Sequence, residues 1–197
     1  MARALMLAAL LPTVSAFVSC PAYTDISTPK AQQLSPQRYQ GLWYEVASAN
    51  IFLAKGCQCT NYNFTLAGAA TFSDVFSCRK GGPSADAMVL PLHGSFEADM
   101  PGKMAEGAVG PVTAPYWVLD LWGDYEYSLV YSCVPLLVAK VEYVYLFSRT
   151  PQIPAGVMQE MRAFAAARNI SLAAVQDVPM EGCGAKGAAA AAIEIQV

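Results

Sequence analysis

The sequence has little charge and almost no histidine. Charged residues make up 14% of the 197 residues, the formal net charge is -3, and His93 is the single histidine. Lysine and arginine form no cluster, which excludes the basic surface that nucleic-acid binding requires. Disordered chains combine high charge with low hydrophobicity, whereas 55% of these residues are hydrophobic. We therefore expect one folded domain with a buried core and no nucleic-acid partner.

Long hydrophobic runs are missing as well. A membrane-spanning helix needs about 20 apolar residues, and the best candidate in the later chain, Val134–Phe147, is interrupted by two charged residues. Near the N-terminus, Arg3 is followed by the short apolar stretch Ala4–Leu11 and then by small residues. This pattern indicates an export signal over residues 1–16 rather than a membrane anchor.

The export signal predicts a secreted or lumenal protein. A plastid lumen is the alternative, because Ser15-Ala16-Phe17 resembles the signal-cleavage site of bipartite plastid presequences in some algae. A transit peptide should then follow, but Cys20 arrives almost at once. In an exported chain, the sequons that begin at Asn63 and Asn169 become glycosylation sites if they are exposed.

Six cysteines follow the predicted signal, and an even number in an exported chain indicates disulfides. A metal site at Cys57-Gln58-Cys59 is the alternative. Zinc sites are usually built from several histidines or from paired Cys-x-x-Cys motifs, and this chain has neither. We expect no metal and no other cofactor, and we interpret His93 as an ordinary hydrogen-bonded residue.

Strand-like runs dominate the middle of the chain. They are rich in aromatic and β-branched residues and are separated by turn residues. Further short strands are expected between Lys80 and Pro115, where glycine and proline recur. About eight strands that close on themselves form a barrel wide enough for one small ligand. The six clearest runs are Leu42–Phe52, Cys59–Leu66, Thr71–Cys78, Tyr116–Leu121, Tyr125–Cys133 and Val138–Ser148.

The pattern changes near the C-terminus. Over Pro154–Arg168, apolar residues recur every three or four positions, which predicts an amphipathic helix that ends at a left-handed Asn169. The predicted fold class is therefore all-β, an eight-stranded antiparallel up-and-down β-barrel with a C-terminal α-helix packed on its outside. We expect Pro21–Pro36 to be an extended arm, the domain to span residues 17–183, and residues 184–197 to be a flexible tail.

Three motifs resemble the signatures of the lipocalin family, in that family's order and spacing. Gly41-Leu42-Trp43 resembles the first signature, and Gly123-Asp124-Tyr125 resembles the second, although Gly123 replaces a threonine. Arg149 resembles the third, at the end of the last strand. The segment Tyr127–Cys133 looks closest to the branch that contains apolipoprotein D and the plant and bacterial lipocalins.

The resemblance implies that the signature residues are structural. Trp43 offers a large apolar surface that can plug one end of the barrel, and Gly41 lets another part of the chain approach it. Arg149 can then lie over the indole face, a cation–π contact of about 0.5–2 kcal/mol. Asp124 belongs to the same set, and we assign none of these four residues a catalytic role.

The disulfide predictions have two different origins. The resemblance implies Cys20–Cys133 and Cys57–Cys183. The third pair, Cys59–Cys78, follows from the hairpin turn centred between Gly68 and Ala69, because positions equidistant from a turn face each other across the strands.

The resemblance also implies a carrier of a small hydrophobic ligand, in the lipid, sterol, fatty acid, retinoid or carotenoid class. Alternate residues of a strand share one face, and two aromatic faces are candidate pocket walls. The first comprises Tyr127, Leu129 and Tyr131, and the second comprises Tyr143, Tyr145 and Phe147. The alternative is that several of these side chains simply fill the barrel.

Two other functions stay open at this point. Some lipocalins are isomerases or de-epoxidases that act on lipids or carotenoids, with a barrel thiol or added domains. Six paired cysteines would leave no thiol, and one histidine allows no convincing Ser-His-Asp triad. The second alternative is an interaction module in which Ile51, Phe52 and Leu53 touch a membrane at the open mouth of the barrel. Burial of these three residues under a neighbouring loop is the other interpretation.

Overall fold

Eight long antiparallel strands form the body of the protein in a computed structural model that describes residues 19–49 and 54–183. Consecutive strands are neighbours, and the last of the eight also pairs with the first, which closes the barrel. This confirms the predicted fold class. The strands are β1 Gly41–Ala49, β2 Cys57–Leu66, β3 Thr71–Lys80, β4 Ala87–Phe96, β5 Lys103–Val109, β6 Val112–Trp122, β7 Tyr127–Pro135 and β8 Lys140–Ser148. The predicted signal at 1–16 and the predicted tail at 184–197 lie outside the described residues.

The N-terminal arm is more ordered than the sequence suggested. It forms three single-turn helices, α1 Tyr23–Ile26, α2 Pro29–Gln32 and α3 Pro36–Tyr39. Hydroxyl side chains at Thr28 and Ser35 accept hydrogen bonds from backbone N–H groups of the following turn, and a proline occupies the next position in each case. A capping residue followed by proline is typical of a helix start, so the prediction of an extended arm was wrong.

The C-terminal helix, α4 Ala155–Ala166, lies against the outside of the barrel as predicted. Its buried residues Met161 and Ala165 pack on the outer face of β7 and β8. Asn169 follows with φ 56°, the predicted left-handed conformation. A short strand, β9 Gln176–Asp177, then pairs with β1. Among the described residues, no helix is long and apolar enough to cross a bilayer.

Of the three predicted disulfides, Cys20–Cys133 is confirmed, with the two Cα atoms 5.8 Å apart. The other two predictions were wrong. The structure instead joins Cys57 to Cys78 and Cys59 to Cys183.

A β-bulge explains the exchange of partners. The register between β2 and β3 shifts between Gln58 and Asn61, and Cys59 lies in this irregularity with φ 57°. A bulge places two residues of one strand against one residue of its partner, whereas turn symmetry assumes a uniform register. Cys59 is turned out of the ladder, and its N–H donates to the Pro179 carbonyl 2.9 Å away. It therefore reaches Cys183 and leaves Cys57 to bond Cys78.

Candidate ligand-binding barrel

Arg149 and Trp43 seal one end of the barrel. The guanidinium carbon lies 3.7 Å from the centroid of the indole ring, and the guanidinium donates to the Leu42 carbonyl at 2.7 Å. It also donates to the carbonyls of Arg38 and Tyr39 at 3.0 and 3.1 Å. Partial burial of this cation lowers the pKa of Arg149. The arrangement ties the start of β1 to the end of β8 and agrees with the structural role expected for these two residues.

The two other signature residues lie at the same end. Gly41 has φ 90°, which glycine adopts without strain, and a Cβ there would lie 3.6 Å from the Arg149 guanidinium. Asp124 is exposed in the turn after β6 and forms an ion pair with Arg38. The Arg38 guanidinium lowers the pKa of the Asp124 carboxyl. An exposed ion pair of this kind contributes little to stability.

The two candidate pocket faces point in opposite directions. Tyr145 and Phe147 of β8 lie inside the barrel and pack with Trp43, and Tyr143 shares their face towards the other end. On β7, by contrast, Leu129, Tyr131 and Tyr127 belong to the cluster between the barrel and the C-terminal helix. The prediction that these three β7 residues line the pocket was wrong.

The register of the β7–β8 pair gives the reason. Leu129 lies opposite Leu146, and Val130 lies opposite Tyr145. Directly opposed residues share a face of a sheet, so odd-numbered residues of β7 share a face with even-numbered residues of β8. An inward Tyr145 therefore requires an inward Val130 and an outward Leu129.

Aromatic side chains from several strands line the interior. The Tyr62 ring lies 5.2 Å from those of Phe76 and Phe147, and the Tyr145 ring stacks on Phe147 at 5.9 Å. Tyr116 lies 6.3 Å from Tyr145. These rings form an apolar wall that also carries phenol hydroxyls.

Three carboxyl groups on the inner face were missed by the sequence analysis. Glu45 lies opposite the inward Phe147. Asp74 lies on β3 between the inward Phe72 and Phe76, and Glu106 lies on β5, two positions after the inward Met104. Glu45 and Asp74 are fully or almost fully buried, at 0% and 1% exposure. The signal was present in the sequence, because each acid is two residues from an apolar inward residue and a strand alternates with period two.

Burial makes these acids hard to ionise. It raises the pKa of Glu45 to about 7, although Ser48 and Tyr62 partly offset the effect. Burial also raises the pKa of Asp74. The pKa of Glu106 is well above its ordinary range because of burial and the charge of Asp74.

A cavity of about 800 Å³ opens beside Glu45. In this region β1 and β2 are no longer paired, because their ladder ends at Tyr44 opposite Asn61. The far wall is the segment 174–179, whose backbone bonds to both strands at Val46 and Cys59. The side chains that line it include Glu45, Ser48, Lys55 and Thr60.

A comparison with protein families is decisive for the identity of the fold. The profile of the Lipocalin-like domain matches residues 34–180. This chain belongs to the lipocalin family. The match spans the barrel and the C-terminal helix, together with the predicted signatures at Trp43 and Arg149.

Curated relatives of this lipocalin include apolipoprotein D. The protein from Macaca fascicularis is 25% identical over 176 residues, covering 80% of this chain and 82% of the relative. The Rattus norvegicus protein is 26% identical over 163 residues, with the same coverage. These relatives agree with the branch of the family that the sequence motifs indicated.

Solved structures with the same fold include two arthropod proteins. H1 crustacyanin from the lobster Homarus americanus has a TM-score of 0.66 at 16% identity, covering 89% of this lipocalin and 95% of that chain. Insecticyanin from the tobacco hornworm Manduca sexta has a TM-score of 0.64 at 15% identity, covering 80% and 85%. At these identities the likeness establishes the fold alone.

The structure describes both predicted glycosylation sites but not the predicted membrane contact. Asn169 is exposed after the helix, whereas Asn63 on β2 is half-buried. The expected membrane contact at Ile51, Phe52 and Leu53 lies outside the described residues.

Proposed function

We propose that this lipocalin binds and carries a small hydrophobic ligand in its barrel. The observation that carries the proposal is a barrel sealed by Trp43 and Arg149 at one end, with an open cavity of about 800 Å³ beside Glu45 towards the other. Ligand pockets usually have volumes of about 300–1,000 Å³ and mostly apolar walls. Glu45, which lines the cavity, lies opposite Phe147, whose ring belongs to the aromatic interior of the barrel.

The experiment is a titration of delipidated protein with a neutral apolar fluorescent probe. We expect saturation at one probe per chain with micromolar or tighter affinity, and displacement by lipids. Folding is checked by circular dichroism on the same sample. A folded, delipidated protein that binds no apolar class would contradict the proposal.

The alternative of a lipid- or carotenoid-modifying enzyme lacks one of its expected groups. All six cysteines are joined in disulfides, so a thiol-dependent isomerisation has no nucleophile in this state. A sample in which a fully oxidised chain converts a lipid or carotenoid to a new product would favour the enzyme over the carrier.

The disulfides also support an exported protein, since such bonds persist in oxidising compartments. We propose a secreted or lumenal location, with a plastid lumen as the alternative, and glycosylation at the exposed Asn169. Mass spectrometry of protein from its natural source tests both, because it reports the mature N-terminus and any glycan mass.

Contact with a lipid surface is a second element of the proposal. The turns that join β5 to β6 and β7 to β8 lie at the end opposite Trp43. The exposed residues in or next to these turns are Val109, Val112, Leu137 and Val138, with Leu137 93% exposed. Such a rim would let a ligand pass between a lipid phase and the barrel without crossing water. We expect Leu137→Asp to reduce co-flotation with phosphatidylcholine vesicles, whereas Ala98→Asp, in the turn at the sealed end, leaves it unchanged.

A further inference from the structure

Within the described residues, Glu45, Asp74 and Glu106 in the barrel interior form no ion pair with a lysine or arginine, although the exposed Lys55 also lines the cavity beside Glu45. The groups that act on Glu45, Asp74 and Glu106 are the acids themselves, the phenol of Tyr62, the hydroxyl of Ser48 and backbone amides. Within the described part of the chain, the contacts of Glu45 and Asp74 are therefore with neutral or acidic groups, and no cation balances either carboxyl. Burial of a charge without a partner of opposite sign is costly, so these acids are poorly explained by fold stability alone.

A second observation points to a ligand at the same place. The hydroxyl of Tyr116 is buried inside the barrel next to the phenol of Tyr39. The Thr60 hydroxyl is buried and has no hydrogen-bond partner among the described residues, and it lines the cavity beside Glu45. The Thr60 hydroxyl and the Glu45 carboxyl therefore face the space in which a ligand would lie.

The acids and phenols belong to one electrostatic network. Burial raises the pKa of Tyr62, and the charges of Glu45, Glu106 and Asp74 raise it further. Burial is also the main cause of the raised pKa of Tyr116, to which Tyr39, Glu106 and Asp74 add. Tyr145 is affected by Glu45, Glu106 and Tyr143, again with burial as the largest cause. The interior thus favours positive charge over negative charge.

A metal ion does not fit this arrangement. Among the described residues, no group of three or more histidine, cysteine or acidic side chains is placed to hold a metal. The acids are instead distributed over β1, β3 and β5 between aromatic rings. A ligand that satisfies them needs a cationic group for the carboxylates and an apolar body for the rings.

We propose that the ligand is a hydrophobic amine, an apolar molecule with one protonated amino group that is held by Glu45, Asp74 and Glu106. An ammonium group has three N–H donors and no acceptor, and it matches a site made of carboxylates and phenols. Aromatic rings add cation–π attraction for such a group. A fatty acid would place a second negative charge in the same interior. This inference rests on the carrier function and specifies its ligand class.

Proton release is the consequence that separates this site from a merely hydrophobic one. At pH 6 the raised pKa values keep these acids largely protonated in the empty barrel. A bound ammonium group favours their charged forms, so binding expels protons. The affinity for an amine should therefore rise between about pH 5.5 and 8 and fall only when the amine itself loses its proton, near pH 10 for an alkylamine.

The test compares three probes with the same alkyl chain, dodecylamine, dodecanol and dodecanoate, by displacement of a neutral fluorescent probe. At pH 7.5 we expect the amine to bind at least about tenfold more tightly than the carboxylate. Calorimetry at pH 6 in two buffers of different ionisation enthalpy should report net proton release for the amine and none for the alcohol.

Substitution of the inner acids tests whether they bind the amine. Glu45→Gln and Asp74→Asn should each weaken amine binding by about tenfold or more and change dodecanol binding little. Glu160→Gln removes the same charge from an exposed position on α4 and serves as the control. Because wild-type proton release needs no substitution, the test remains valid if an inner variant fails to fold.

The possible failures are distinguishable. Equal affinity for the three probes, without proton release, overturns the amine assignment and leaves the carrier function intact. Tighter binding of the carboxylate overturns it as well. Absence of binding for all three probes and for the neutral fluorophore overturns the carrier function and the amine assignment together.

Discussion

The guanidinium of Arg149 lies 3.7 Å from the centroid of the Trp43 indole and donates to the carbonyl of Leu42 beside it. A single contact thus caps one end of the barrel and joins the start of β1 to the end of β8. Since Trp43 is fully buried, this end of the molecule is a folding element that the ligand does not need to touch.

Removal of the plug should therefore affect stability. We expect Trp43→Ala to lower the free energy of unfolding by about 3–5 kcal/mol, as large-to-small core substitutions do. Arg149→Ala should lower it less and leave ligand selectivity almost unchanged. Arg162→Ala, at an exposed position on the helix, is the control. Denaturant unfolding measures all three, and a fully stable Trp43→Ala protein with altered ligand choice would show that Trp43 belongs to the pocket.

Inward and outward residues of the β7–β8 pair should behave differently. Leu129→Ala is expected to cost about 2–5 kcal/mol of stability, because it opens a cavity under the C-terminal helix, and to leave ligand affinity unchanged. Tyr145→Ala should instead alter ligand affinity, since its ring lines the interior. Probe titration together with denaturant unfolding separates the two effects. Weaker ligand binding by Leu129→Ala at unchanged stability would contradict the assigned faces.

The disulfide map can be checked by peptide mapping under non-reducing conditions. We expect Cys57–Cys78 and Cys59–Cys183. Chain-entropy arguments give about 5 kcal/mol for a loop as long as that of Cys59–Cys183 and about 3 kcal/mol for Cys57–Cys78. A Cys59→Ser/Cys183→Ser protein should also lose amide protection in the segment 174–179, whereas Cys57→Ser/Cys78→Ser should keep it. Recovery of a Cys59–Cys78 peptide would overturn the observed pairing.

Stability should fall as the pH rises from about 4.5 to 7. The folded state raises the pKa of Glu45 to about 7, so in this window the folded chain binds more protons than the unfolded chain, and the free energy of unfolding decreases with pH. At about 1.4 kcal/mol per pKa unit, Glu45 alone accounts for about 3 kcal/mol. Denaturant unfolding of ligand-free protein at pH 5 and 7.5 measures the change.

Glu45→Gln supplies the comparison for this pH dependence. In this variant the free energy of unfolding should decrease less steeply with pH. Some decrease should remain, because Asp74 and Glu106 still contribute, whereas Glu160→Gln should keep the wild-type pH dependence. A ligand-free protein that grows more stable across this range would contradict protonated acids in the barrel.

Much of the fold was accessible from local sequence signals. Period-two runs such as Thr71–Cys78 became strands, the three-and-four spacing over Pro154–Arg168 became helix α4, and Asn169 ended it. The lipocalin motifs placed Trp43 and Arg149 correctly at one end. These features depend on neighbouring residues or on the resemblance of short motifs to a known family, which is why sequence alone sufficed.

The candidate site was less accessible because it depends on register between strands. Alternation groups Tyr127 with Leu129, but only the pairing of β7 with β8 decides that their face is outward. In the same way, one bulge at Cys59 overturns a symmetry argument that holds elsewhere in the hairpin. The inward acids obey the alternation of their strands, but the candidate pocket walls were drawn only from the aromatic faces of β7 and β8, which carry none of them.

The most direct test of the carrier function is native mass spectrometry of the protein purified from its own source. The structure predicts a complex of one chain with one small apolar molecule, which delipidation removes and which then rebinds to the folded protein. A source-purified chain that carries no small molecule, and whose folded form binds no apolar compound in solution, would contradict a ligand-carrying barrel.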